Sequence, residues 1–294
     1  MLKKLDKKTT IIHVHGWTKA LSSSIFDIAF KMNFKVVLTL HDYFAACPNG
    51  GYFNYQKNEI CKLKPMSIKC IKCNCDSRNY IFKIYRVIRQ FVQNKIVKLN
   101  KKIENVITIS ELSEKILKET LGKNTQITRI YNPIDLDENI EKIDPTRNKY
   151  FLYVGRISKE KGVDCCFKGR VPYDEMCALI DSCDIVVNPI TGGAAASIIN
   201  KHADYAACGH PVVNSQEANE YRKLVEEYDM GLNCENGDAI DLATKLEALI
   251  EDKDLRCRMG MNARKCAEEK FNRKKTYVKI EKVILGEKLS ESEL

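Results

Sequence analysis

The amino-acid sequence predicts an α/β protein built on parallel sheets in two domains. Three observations carry this. Short apolar runs alternate with segments whose apolar residues recur at helical spacing. Residues 9–15 ("TTIIHVH"), the segment 22–31 and residues 35–40 ("KVVLTL") give strand, helix and strand at the spacing of a crossover unit, which requires parallel pairing. A polar stretch at 138–148, holding Pro145, then separates this pattern from a second set of strands and reads as a linker.

The totals bound the rest. Apolar content of 44% and charged content of 30% over 294 residues belong to a globular protein large enough for two ordinary domains. No apolar run approaches the ~20 residues of a membrane-spanning helix. The first residues, "MLKKLDKK", lack the apolar core of a signal peptide, so a cytoplasmic location is expected. In such a reducing compartment the thirteen cysteines should be free thiols or metal ligands. A net charge of +9 calls for an anionic partner without naming it; a nucleotide-bearing substrate, a phospholipid and a nucleic acid all satisfy it.

The first strand ends in histidines, with Gly16 and Trp17 behind it. The following helix carries Ile25, Ile28, Ala29 and Met32 on one face. The second strand ends in His41-Asp42-Tyr43. Ligands gather at the C-terminal edge of such sheets, where His15, His41 and Asp42 fall. By itself His41 fits either a ligand-facing role or a structural histidine bonded to a backbone carbonyl.

A cysteine-rich segment, 47–75, comes next. Cys70 and Cys73 form a Cys-x-x-Cys pair, and Cys61 with Cys75 or Cys47 would complete four zinc ligands. The other reading is a loop of reduced cysteines that packs or meets a substrate. Residues 80–102 read as one long helix. Ile81, Ile84, Tyr85, Ile88, Val92, Ile96 and Leu99 form its apolar stripe, and cations fill the rest. This pattern suits either an anionic membrane surface or a core helix with a solvated basic face. The strand "NVITI" at 105–109, an N-cap at Ser110, a helix stop at Gly122 and a strand at 127–131 follow.

The second half opens with "FLYVGRISKEKG" at 151–162. It reads as a buried strand, a turn at Gly155, and a loop where Arg156 and Lys161 meet an anion at a helix entry. An ordinary surface turn is the alternative. Only ten residues, 163–172, then precede the helix 173–182 and the strand 184–188, where a doubly wound domain needs further strand–helix units. "TGGAAAS" at 191–197 is either a phosphate-facing loop or a surface loop. "ACGHP", a strand at 211–214, amphipathic helices at 241–250 and 254–270, and a tail at 287–294 complete the chain.

"YVGRISKEKGVD", "VVLTLHDYFAACPNG", "YNPID" and "SIINKHADYAACGHP" resemble glycosyltransferase family 4, retaining enzymes of the GT-B fold with two facing Rossmann-like domains. The resemblance implies an acceptor-side domain at 1–137 with the cysteine-rich insertion 47–75, a linker at 138–148, and a donor domain at 149–286. Both domains are expected to be incomplete: the family's first strand has no match before Ile11, and about two crossover units are missing near 163–172. Gly155, Arg156 and Lys161 then hold the diphosphate of a nucleotide-sugar. Asp204 takes the place of the carboxylate that bonds the nucleotide ribose. The family's other glutamate falls at Ala196, which leaves Asn200 and Lys201 as nearby polar candidates. His41 lies near the donor sugar and the acceptor. The implied reaction moves a sugar with retention from a nucleotide-sugar to a polysaccharide or lipid-linked acceptor. It needs no cofactor, and no metal is assigned beyond the cysteine candidates. The helix 80–102 would touch the inner membrane leaflet, and nucleic acid is not an expected partner. The departures keep a second reading open: an inactive remnant that binds nucleotide or anionic lipid.

Overall fold

The structure, a computed structural model, describes residues 5–18, 21–57, 59–136, 171–190 and 198–290. The chain divides into two compact units, Met1–Ile130 with Val278–Leu294, and Tyr131–Tyr277.

The first unit is built on four parallel strands, β1 (Ile11–His15), β2 (Lys35–Leu40), β5 (Asn105–Thr108) and β6 (Gln126–Arg129), in the order β1-β2-β5-β6. The register places His13 opposite Val37 and His15 opposite Thr39. α1 (Ser24–Lys31) makes the first crossover and buries Phe26 and Ala29. Trp17 meets the Phe26 ring edge-on at 5.3 Å, an arrangement favoured by the two ring quadrupoles. Each buried ring stabilises the unit by about 1.5–3 kcal/mol through lost apolar exposure. One core lies on the α1 face of the sheet; a second, on Val37, Ile107 and Ile130, is closed by Val283 of the last helix, α11 (Arg273–Leu285). α5 (Glu111–Lys118) starts where the sequence places its cap: the Ser110 hydroxyl accepts the Ser113 N–H, and the Ser113 hydroxyl reciprocates to the Ser110 backbone.

Between β2 and β5 lie a hairpin of two-residue strands, β3 (Phe53–Asn54) with β4 (Glu59–Ile60), the short α2 (Ile68–Lys72), and then α3 (Tyr80–Phe91). The expected single helix over 80–102 is not one helix. α3 passes into a π-helical stretch at Val92–Val97, breaks at Lys98 in the left-handed region (φ 58°), and resumes as α4 (Leu99–Lys102). The break lets Val97 and Leu99 enter the core while Gln93 and Asn100 reach loop carbonyls. Periodicity alone shows no such break, because no Gly or Pro marks it.

The second unit has a three-stranded parallel sheet, β7 (Val186–Asn188), β8 (Val212–Asn214) and β9 (Gly231–Asn233), in chain order. α6 (Tyr173–Asp181), α7 (Asn200–Ala207), α8 (Asn219–Glu227), α9 (Ala239–Glu251) and α10 (Lys253–Cys266) surround it. Its strands are shorter than the apolar runs that predict them, and α10 ends in a π-helical stretch, Ala267–Phe271, instead of continuing as α-helix to Lys270. Gly231 sits where an added Cβ would strike the Val212 backbone, so β8 and β9 pair only with glycine there. The expected linker at 138–148 and the expected shortening near 163–172 fall wholly or mainly outside the described residues.

Candidate functional site

In the first unit, the C-terminal ends of β1 and β2 bring three imidazoles together. The His13 and His15 ring centres stand 4.3 Å apart, and those of His15 and His41 5.3 Å apart. His15 Nδ1 lies 3.0 Å from His41 Nε2, so one ring donates and the other accepts. His13 Nε2 lies 2.8 Å from the Thr39 hydroxyl. Parallel pairing explains the cluster. Alternate residues of β1 share a face, and His41 follows directly after the strand that pairs with β1. Burial, then the charges of His15 and His41, bring the His13 pKa down to about 4. Burial lowers His15 as well. Those two rings are therefore neutral at pH 7, each with one donor and one acceptor nitrogen. His15 and His41 are exposed, and Asp42 turns back to accept the Phe44 N–H.

The cysteine segment wraps a buried cation that sequence reasoning missed. Lys83, on α3, is 0% exposed, and its ammonium donates to the Cys75 and Cys70 sulfurs at 3.2 and 3.6 Å. Asn49 Nδ2 also donates to Cys75, and Asn54 Nδ2 to Cys73. Burial pulls the Lys83 pKa down, but the Cys75 hydrogen bond and the sulfurs of Cys70, Cys75 and Cys47 outweigh it and leave the pKa raised. Cys47, Cys61, Cys70, Cys73 and Cys75 are free thiols, and burial leads the rise in pKa of Cys47, Cys61 and Cys73. Among the described residues no three His, Cys, Asp or Glu side chains are grouped to hold a metal ion. Lys83, read from sequence as one more surface charge, is the cation around which these sulfurs collect.

In the second unit, Asp204 sits on α7 and is partly buried. The Tyr173 hydroxyl donates to its Oδ1 at 3.0 Å. Burial raises the Asp204 pKa, and the Tyr173 bond acts against that rise. Asn200, at the start of α7, accepts at Oδ1 from Asn132 Nδ2. Lys201, beside it, is half-buried. Gly155, Arg156, Lys161 and Ala196 lie outside the described residues.

A buried amide network at the strand ends also went unread in the sequence. Asn188 closes β7 and Asn214 closes β8; both are fully buried. Asn188 Nδ2 reaches Asn214 Oδ1 and Gln216 Oε1, and lies 3.0 Å from His202 Nε2. His202 stacks flat on Tyr221 at 3.6 Å and accepts the Ile199 N–H at Nδ1. These bonds tie the start of α7, and so Asn200 and Lys201, to the sheet's C-terminal edge. The available signal was two apolar runs, "DIVVN" and "PVVN", that both end in asparagine.

Two family models match the chain. Glycosyltransferase Family 4 covers residues 1–138, and Glycosyl transferases group 1 covers residues 164–266. An uncharacterized glycosyltransferase of Methanocaldococcus jannaschii is 22% identical, over 88% of this chain and 77% of that protein. The structure of sucrose-phosphate synthase from Thermosynechococcus elongatus matches with a TM-score of 0.63 and 16% identity, over 94% of this chain and 73% of that one. Anabaena HepE in complex with UDP matches with a TM-score of 0.59 and 16% identity, over 94% and 79%. The two family matches fall in the same order as the two units, and the structural matches run across both. The chain has the GT-B fold and is a glycosyltransferase whose two halves are similar to the family 4 and group 1 glycosyltransferases.

Proposed function

We propose that this glycosyltransferase moves a sugar, with retention, from a nucleotide-sugar donor to a polysaccharide or lipid-linked acceptor. Structures of Anabaena HepE hold UDP, UDP with glucose, and UDP-glucose, which supports a uridine diphosphate sugar as the first donor to test. The observation that carries the reading is Asp204. The resemblance of "HADYAACGHP" to the family's motif assigns it the role of the ribose carboxylate, and the Tyr173 hydroxyl donates to its Oδ1, which supports a fixed orientation. Two carboxylate oxygens suit the vicinal hydroxyls of a ribose. Arg156 and Lys161 are assigned to the diphosphate, with Gly155 giving the backbone its close approach. Their charges oppose the negative charge that grows on the leaving diphosphate, where transition-state stabilisation is needed. Asn200 and Lys201 are assigned to the donor side, in place of the carboxylate replaced by Ala196. His41 is the catalytic residue of this reading, next to the sugar being transferred.

Ala196 also favours a second reading, a chain that binds nucleotide without turnover. Purified protein is incubated with UDP-sugars and saccharide acceptors, and UDP release is measured beside UDP binding. Release that His41→Ala abolishes while UDP binding persists supports the enzyme with its assigned residue. Binding without release from any donor leaves the second reading, and absence of UDP binding rejects the donor assignment.

A further inference from the structure

α3 is inverted. An amphipathic helix at a protein surface normally turns its apolar stripe to the core and its charges to water. Here the polar side chains face inward. Lys83 is enclosed by the cysteine sulfurs, Arg86 donates to the Asn49 carbonyl, and Gln90 and Gln93 donate to the carbonyls of Ala45 and Phe44. Outside stand Ile81 (78% exposed), Tyr85 (64%), Ile88 (58%), Phe91 (52%) and, across the π-helical stretch, Ile96 (62%). Of the whole predicted stripe only Leu99 is fully buried. Half of the exposed large apolar side chains among the described residues fall between Tyr55 and Ile96. Scattered apolar exposure needs no explanation, but a contiguous apolar helix face marks an interaction surface.

Charge identifies what covers it. The only carboxylate between residues 61 and 103 is Asp76, which is fully buried with Arg86 Nε 2.9 Å from its Oδ2. The exposed ionic groups of this region are therefore all cations, among them Lys69 and Lys72 on α2, Arg78 before α3, and Lys95, Lys98 and Lys101 beyond it. α2 lies beside the helix, with the Tyr80 hydroxyl on the Ile71 carbonyl at 3.1 Å, and adds the exposed Ile68. An apolar face rimmed by cations, with no exposed carboxylate between residues 61 and 103, fits an anionic lipid surface: apolar groups enter the acyl boundary and ammonium groups meet phosphate. A second copy of this chain would bring the same cations face to face, and like charges at a symmetric interface oppose one another.

We propose that α3 and the adjacent α2 loop form the membrane-docking face of this protein, with an anionic bilayer as the occupant. The inverted polar face serves it, because the hydrogen bonds to the 44–49 loop hold the helix without using its apolar side. The inference stands on this face alone and does not depend on the donor or acceptor assignments.

Full-length protein is titrated with vesicles of phosphatidylglycerol and phosphatidylcholine in equal parts, and with phosphatidylcholine alone, in a flotation assay. UDP binding and gel filtration are run on the same samples. The expected result is binding to the anionic vesicles about tenfold or more tighter than to the neutral ones, weakening as salt rises. The triple variant Ile81→Ser, Tyr85→Ser, Ile88→Ser should lose that binding with unchanged Trp17 fluorescence, because all three residues face outward. Lys95→Gln with Lys101→Gln should weaken anionic binding and leave any neutral binding as it was. Failure to bind anionic vesicles overturns the proposal, and so does equal binding by the triple variant. A wild-type dimer that the triple variant converts to monomer overturns it in favour of a second copy. UDP binding reads the donor assignment separately in every sample.

Discussion

The histidine cluster makes the first unit acid-sensitive in a defined window. The His13 pKa falls from 6.5 to about 4 on folding. Between those values the unfolded chain binds the proton and the folded one does not, so stability falls as pH drops from 6.5 toward 4. Above 6.5 the group is neutral in both states and contributes no slope. The full shift would correspond to about 3 kcal/mol at 1.36 kcal/mol per pH unit. The ring is only half-buried, and solvent screens it, so a loss of about 1–2 kcal/mol is expected. The perturbation is His13→Gln, which keeps a polar side chain for the Thr39 hydroxyl and cannot titrate. The assay is urea unfolding followed by tryptophan fluorescence at several pH values between 4 and 7. The chain has one tryptophan, Trp17, buried in the first unit, so the signal reports that unit alone. Wild type should lose about 1–2 kcal/mol more than the variant as pH falls from 7 to 4, with His15 giving both proteins a further decline in the same direction. A wild-type–variant difference that does not change with pH would refute the reasoning.

Three further outcomes are expected. Asp204→Asn should weaken UDP binding about tenfold, the scale of one lost charged hydrogen bond, measured by calorimetry. In wild type that affinity should fall with acidification at a higher pH than an ordinary aspartate near 3.9 would give, because burial raises the carboxyl, and the variant should lack this dependence. Gly231→Ala should cost about 1–3 kcal/mol through the clash with the Val212 backbone, seen by calorimetric unfolding as a lower transition for the second unit while the Trp17 signal is unmoved. Lys98→Gly should raise stability of the first unit by up to about 1 kcal/mol, less the flexibility glycine adds to the unfolded chain; a loss would show that the left-handed turn there carries no strain.

Much of this protein was legible in the sequence because its information is local. Apolar runs of the right length located every long strand of the first sheet, and the crossover spacing made that sheet parallel. From there the edge position of His15 and His41 followed, since a strand's end in a parallel sheet is fixed by chain direction. Ser110 announced its helix because a cap is a contact between residues three apart. The family motifs named the chemistry by the same local rule. His13 was a histidine in a strand until pairing set its ring against His15 and Thr39. Asn188 and Asn214 were strand ends until the sheet stacked them into one buried network.

The segment 80–102 marks the limit most clearly. Its sequence determined that one face is apolar and the other cationic, since spacing along a helix is fixed by 3.6 residues per turn. Which face turns inward is set by what lies beneath, and here that is a loop rich in carbonyls and sulfurs, which binds Lys83, Arg86, Gln90 and Gln93. No periodicity encodes that choice. The tertiary structure decided it, by placing polar acceptors where a core would ordinarily offer apolar side chains, and so left the isoleucines outside.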